Sequence, residues 1–136
     1  MLRFVFFSLI VVYSCQIFES KEINVISDAQ FNYIQDTDYI LVDVRTAEEY
    51  ESGHIQDAVN FDFYSESFQN EILSLEKKSS IILYCRTQNR STKTANYLKE
   101  NGYKEIIVLE GGINSWVKNG NDLVYNFSDE INSIEE

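Results

Sequence analysis

The sequence predicts an α/β fold with a mostly parallel sheet, and three observations carry that expectation. Short strand-favouring runs recur five times, and a helical segment follows each of them. Two of these runs, residues 39–44 and 80–84, are nearly continuous in apolar residues, as strands buried on both faces of a parallel sheet are. Glycines stand where three of the helices should end, at Gly53, Gly102 and Gly120.

Each element has its own local reason. Ile23-Asn24-Val25-Ile26 is a strand candidate. Ser27 with Gln30 three residues later has the form of a capping box, and Phe31 and Ile34 give the helix that follows an apolar side. Residues 39–44 form the second strand, and residues 46–50 open a short helix that ends near Gly53. Residues 58–61 are a brief strand. Residues 65–75 are helical, with Phe68, Ile72 and Leu75 at helical spacing. Residues 80–84 are the most hydrophobic strand, and residues 90–101 the helix after it. Residues 106–109 are the fifth strand, and residues 112–119 the last helix. One domain over residues 23–120 is therefore expected. Residues 121–136, with five acids and no base, are expected to form a frayed acidic tail.

Composition narrows the function. The chain has 136 residues, 11 Lys+Arg and 22 Asp+Glu, for a formal net charge of -11. Such a balance argues against a nucleic-acid partner and against a polybasic attachment to anionic lipid. With 2 Cys and 1 His, the domain has no internal disulfide and no Cys- or His-rich metal site. No metal and no cofactor are expected, and the molecule is expected to be a monomer.

The N-terminus has the form of an export signal. Met1-Leu2-Arg3 is a short basic segment, and the apolar run from Phe4 to Tyr13 is too short to span a bilayer. No Ala precedes Ala29, so an Ala-x-Ala cleavage site is missing. Val12-Tyr13-Ser14-Cys15 instead resembles a bacterial lipobox. The expectation is a signal peptide over residues 1–14, an acylated Cys15 and a tether over residues 15–22. The product would be exported, either periplasmic or lipid-anchored to the bacterial cell envelope, with membrane contact only through that anchor.

Cys85 is the centre of the functional reading. It follows a buried strand directly and precedes a helix by a few residues. Ligands of open parallel sheets bind at the carboxyl ends of the strands, and a helix N-terminus offers N–H groups and a positive dipole end. A thiol so placed should have a lowered pKa. Its plain alternative is a small hydrophobe at a strand end. Charge favours the first reading: residues 77–99 hold no acid, but carry Lys77, Lys78, Arg86, Arg90, Lys93 and Lys99. A cationic island around one thiol suggests a small anionic substrate.

These segments, taken in order, resemble the rhodanese family of sulfurtransferases over residues 23–120. The resemblance is carried by Leu41-Val42-Asp43-Val44-Arg45, Glu49-Tyr50, Gly53-His54-Ile55 and Ala58-Val59-Asn60. It continues through Tyr84-Cys85-Arg86-Thr87-Gln88-Asn89-Arg90-Ser91 and Leu109-Glu110-Gly111-Gly112-Ile113, with Trp116 and Gly120. It implies a rhodanese-like five-stranded, mostly parallel sheet with helices on both faces. It also implies a thiolate at Cys85 that takes a sulfane sulfur from a donor such as thiosulfate, holds it as a persulfide and passes it to a thiol or cyanide. On that resemblance the backbone of Arg86, Thr87, Gln88, Asn89, Arg90 and Ser91 cradles the persulfide anion. Arg90 orients and neutralises the donor, Arg86 helps steer it, and Asp43 and Arg45 support the loop from the second strand.

The Cys-x-x-x-x-Arg loop is one residue shorter than the loop of the related phosphatases, where an Arg would stand at Ser91. A thioredoxin-like pair is excluded because Gln88, not Cys, stands three residues after Cys85. Two positions depart from the family pattern. Gln88 stands where Gly is common and where positive φ is costly for a side chain, and Gln56-Asp57 stands where Pro-Gly is common. Gln88 keeps open a non-catalytic binding module, and an accessible thiol keeps open a persulfide or redox sensor. His54 is expected to be a turn residue, and Trp116 to lock the last helix to the core.

Overall fold

The computed structural model describes residues 22–34 and 38–125. The expected signal peptide, Cys15 and most of the expected tether lie outside the described residues, as do residues 126–136. Among the described residues five strands and five helices alternate: β1 (Asn24–Ile26), α1 (Asp28–Ile34), β2 (Ile40–Asp43), α2 (Ala47–Glu51), β3 (Val59–Asn60), α3 (Phe68–Ile72), β4 (Ile81–Tyr84), α4 (Asn89–Glu100), β5 (Ile106–Leu109) and α5 (Gly112–Lys118). The sheet runs β1-β5-β4-β2-β3, and every pair in it is parallel.

Alternation along β4 explains the two layers. Ile81 and Leu83 point to one face and pack with Val42, Val44 and Val108 under Phe68 and Ile72 of α3 and Ala95 and Leu98 of α4. Ile82 and Tyr84 point to the other face and join Leu41 and Leu109 under Phe31 of α1 and Ile113 and Trp116 of α5. Helices cover both faces, so β4 is buried at all four positions. It is the central strand, with β5 and β2 on either side, and the turn after it opens at the carboxyl edge of the sheet.

Helix ends follow local chemistry. At α2 the Thr46 side chain accepts from the Glu49 N–H while the Glu49 carboxylate accepts from the Thr46 N–H, a complete capping box. The same reciprocal pair joins Ser27 and Gln30 at α1. The described tail residues are tied down rather than frayed. Val124 bridges His54 in an antiparallel pair, Trp116 Nε1 donates to the Asp122 carbonyl at 2.8 Å, and Asn121 Nδ2 donates to Asp28 at 2.8 Å. Charge counting alone ignored these backbone and amide partners. Asp57 takes a left-handed φ of 63° after the Gly53-His54-Ile55 element, a conformation that Asp adopts more readily than most side chains.

Candidate active site

The turn from β4 into α4 holds Cys85 with its side chain 1 % exposed. The N-cap residue of α4, Gln88, makes no side-chain cap, so the first-turn N–H groups are free to meet another acceptor. The Cys85 sulfur takes that place. Burial pushes the thiol up, but hydrogen bonds from the Ser91 hydroxyl and from the N–H groups of Ser91, Thr87 and Gln88 outweigh it, and the net direction is down. Ser91 Oγ lies 3.6 Å from the sulfur and 3.0 Å from the Gln88 carbonyl, so its single proton has a sulfur and a carbonyl to choose from. A charged sulfur wins that choice more readily than a neutral thiol.

The carbonyls of the turn are held from behind. Ile113 N donates to the Cys85 carbonyl at 2.9 Å, and Asn114 N donates to the Arg86 carbonyl at 3.1 Å. With the Arg86 carbonyl committed to α5, the N–H on the other edge of that peptide, Thr87's, is left to the sulfur. Gly112 makes the approach possible, because a Cβ there would lie 2.3 Å from the Cys85 carbonyl oxygen. Gln88 sits at a φ of 149°, where a side chain is strained. Its Oε1 accepts from the Gly111 N–H at 3.1 Å, so the side chain ties the loop to the β5–α5 turn.

Asp43 ends β2 opposite Tyr84, the last residue of β4, and Arg45 follows two residues on. Asp43 is fully buried and accepts from the backbone N–H and the guanidinium of Arg45, with an ion pair of 2.6 Å. Arg45 continues to the Gly53 carbonyl, and its guanidinium lies 5.8 Å from the centre of the Tyr84 ring. Burial, and then the charge of Asp43, hold the Tyr84 phenol well above its usual range. The Tyr84 hydroxyl accepts from Ile55 N–H. These groups brace the end of β4 immediately before Cys85. His54 stacks on Tyr50 at 3.8 Å between ring centres and does not join the sulfur.

Arg90, expected to orient and neutralise the donor, is itself paired with a carboxylate. Its Nη1 and Nη2 donate to Glu49 Oε2 and Oε1 at 2.6 and 2.9 Å, and the Tyr64 ring lies 5.6 Å from its guanidinium carbon. The hydrogen bond from Arg90 holds the Glu49 carboxyl down at about 2 despite partial burial. The cationic island also separates in space. Lys77 and Lys78 precede β4 and so lie at the opposite end of the strand from Cys85, with Lys77 over the Tyr103 ring at 5.9 Å. Lys99 is at the far end of α4, bonded to the Glu22 carbonyl. Arg86, Thr87 and Asn89 are exposed along the loop. A cavity of about 390 Å³ between α3 and α4 is lined by Phe63, Lys93 and Tyr97 but by no residue of the Cys85–Arg90 turn.

The family comparison matches residues 30–119 to the rhodanese-like domain. The chain belongs to the rhodanese-like domain family. It is 32% identical over 87 residues to a sulfurtransferase of Allochromatium vinosum, covering 64% of this chain and 79% of that protein. It is 35% identical over 113 residues to a probable molybdopterin-synthase adenylyltransferase of Porphyra purpurea, covering 77% of this chain but 28% of that protein. The chain thus spans only about a quarter of the length of that adenylyltransferase, and the match to a tRNA uridine(34) hydroxylase of Yersinia enterocolitica likewise covers 24% of the hydroxylase. Among solved structures, a rhodanese-related protein of Thermoplasma volcanium superimposes with a TM-score of 0.67 at 27% identity, over 74% of this chain and 97% of that one. The sulfurtransferase relative and the domain match together make this rhodanese-like domain a member of a sulfurtransferase family.

Glu49 is the site residue that sequence reasoning missed. It appeared there only as half of a Glu49-Tyr50 pair. The one usable signal was its position three residues after a capping Thr46, which aims the carboxylate back toward the end of β2.

Proposed function

We propose that the protein is a sulfurtransferase that moves a sulfane sulfur from a donor such as thiosulfate to a thiol or cyanide through a persulfide on Cys85. The observation that carries this reading is a buried Cys85 sulfur just before the N-terminus of α4, with the Ser91 hydroxyl 3.6 Å away, where hydrogen bonding from the turn lowers the thiol's pKa. Such a cradle favours an anion on that sulfur and then on a second sulfur bonded to it.

The Cys85 thiolate attacks the outer sulfur of thiosulfate. The donor S–S bond breaks, its electron pair leaves with sulfite, and Cys85 holds a persulfide carrying one negative charge. A thiolate or cyanide then attacks the outer sulfur, and the electron pair of the Cys85–sulfur bond returns to Cys85. No proton moves in either step once the thiol is ionised, so a general base is not required. Asp43, sealed in its pair with Arg45, supports the fold rather than the chemistry. The loop residues Arg86 to Ser91 bind the donor and the persulfide in this scheme.

Mass spectrometry of the purified protein after thiosulfate tests the proposal. The expected result is one added sulfur atom on the peptide containing Cys85, removed by cyanide with release of thiocyanate. An unchanged mass would overturn the reading. A binding module or a sensor could hold the sulfur but would not turn over, so repeated thiocyanate formation separates the enzyme from both.

Gln88→Gly offers a second check. It relieves the strained φ, at about 1–2 kcal/mol, but removes the hydrogen bond to Gly111 and loosens the unfolded chain by similar amounts. The melting temperature should change little. Turnover should fall about three- to tenfold, the equivalent of one lost hydrogen bond of about 1 kcal/mol, because the cradle loses its tether. An increased rate in the thiosulfate–cyanide assay would show that the strain, not the tether, limits the present loop.

A further inference from the structure

We propose that Glu49 sets the charge class of the donor: by clamping Arg90 in a bidentate pair, it shifts the site away from dianionic donors and toward donors of lower charge. The inference rests on the persulfide reading of Cys85 and deepens it.

The geometry is specific. Both terminal nitrogens of Arg90 face the Glu49 carboxylate, at 2.6 and 2.9 Å. The carboxylate is itself fixed, because Oε2 also accepts the Thr46 N–H at 3.1 Å as part of the α2 cap. It is therefore not a free surface acid that chance brought to an arginine. Arg90 belongs to the first turn of α4, whose N–H groups face the sulfur, and the Tyr64 ring lies on its guanidinium. A bidentate pair leaves other N–H groups of Arg90 able to reach a donor, but its net charge is cancelled.

No other cation replaces that charge close at hand among the described residues, apart from Arg86. Lys77 and Lys78 stand at the other end of β4, and Lys99 at the far end of α4. Lys93 lines the separate cavity between α3 and α4. An arriving donor meets the loop amides, the α4 dipole and Arg86. Glu49 repels each unit of its charge, so a donor with two negative charges is disfavoured about twice as strongly, on a logarithmic scale, as a donor with one.

Two donors with the same reacting sulfur make the test. Thiosulfate is a dianion that leaves sulfite; methanethiosulfonate is a monoanion that leaves methanesulfinate. Each gives the same Cys85 persulfide by the same displacement. Glu49→Gln removes the charge, and glutamine still serves the third position of a capping box, so α2 keeps its cap. The expected result is a gain in kcat/KM of about threefold for methanethiosulfonate and about tenfold for thiosulfate, carried by KM. The ratio between donors should rise about threefold and should shrink as salt is added. An unchanged ratio would overturn the proposal. So would a joint fall for both donors, which would mean that Glu49 only holds the loop in shape. If neither donor places sulfur on Cys85 of the parent protein, the persulfide reading fails and this inference fails with it.

Discussion

Cys85→Ser is expected to abolish sulfur transfer, by at least about a thousandfold, while leaving the fold intact. The sulfur is 1 % exposed and borders the cluster of Val42, Val44, Leu83 and Val108. A serine hydroxyl is smaller by little and finds the same partners, the Ser91 hydroxyl and the N–H groups of Thr87, Gln88 and Ser91. Its cost in stability at acid pH should stay within about 1 kcal/mol, because the new buried hydroxyl is hydrogen-bonded. Chemically the exchange is severe, since an alcohol cannot hold a transferable persulfide sulfur.

Stability against pH gives this variant a second signature. The fold lowers the Cys85 pKa. A depressed pKa contributes stability above the unfolded thiol value, of about 8.5, and that contribution is lost as pH falls through the folded value. The stability gap between parent and variant should therefore widen as pH rises toward about 8.5 and then level off. Denaturant titrations at several pH values check it. A gap that narrows with rising pH would mean that the cradle favours the neutral thiol.

The elements were legible because local rules and tertiary demands agree here. The run Ile81-Ile82-Leu83-Tyr84 has no polar face, and the structure gives it none, with helices above and below. Ser27 and Gln30 spell a capping box in sequence and form one in space. The Cys85 turn was legible for the same reason: a buried strand, a short loop and a helix follow one another without ambiguity.

The parts that were not legible depend on strand order. The six cations near Cys85 in sequence divide between the two ends of a sheet, because a strand carries the chain from one edge to the other. Glu49 and Arg90 are 41 residues apart. They meet only because β2 lies beside β4, so that the helices leaving the two strands start side by side. Nothing periodic in the chain encodes that adjacency. The tail shows the same limit, since the Val124 bridge to His54 has no signature in either segment.

Gly112→Ala is expected to damage both stability and turnover, and Gly120→Ala only the first, mildly. Both glycines have positive φ, 58° and 84°. An alanine in that region costs about 1–2 kcal/mol at either site. The surroundings differ. A Cβ on Gly120 meets nothing within 4 Å, whereas one on Gly112 lies 2.3 Å from the Cys85 carbonyl oxygen and 3.0 Å from the carbonyl atoms of Arg86. Those contacts are backbone, so no side chain can turn aside, and α5 must back away from the loop. Backing away stretches the hydrogen bonds from Ile113 to Cys85 and from Asn114 to Arg86. Adding crowding and two weakened hydrogen bonds to the φ strain gives a loss of about 3–5 kcal/mol at Gly112. The freed Arg86 carbonyl can then rotate, and the Thr87 N–H opposite it leaves the sulfur. Turnover should fall about a hundredfold, near the effect of losing one anion-stabilising donor. Denaturant titration and thiosulfate–cyanide kinetics on both variants decide the matter. Equal stability losses at the two glycines would show that the α5 turn does not press on the thiol loop, and full activity in Gly112→Ala would show that the loop keeps its shape without it.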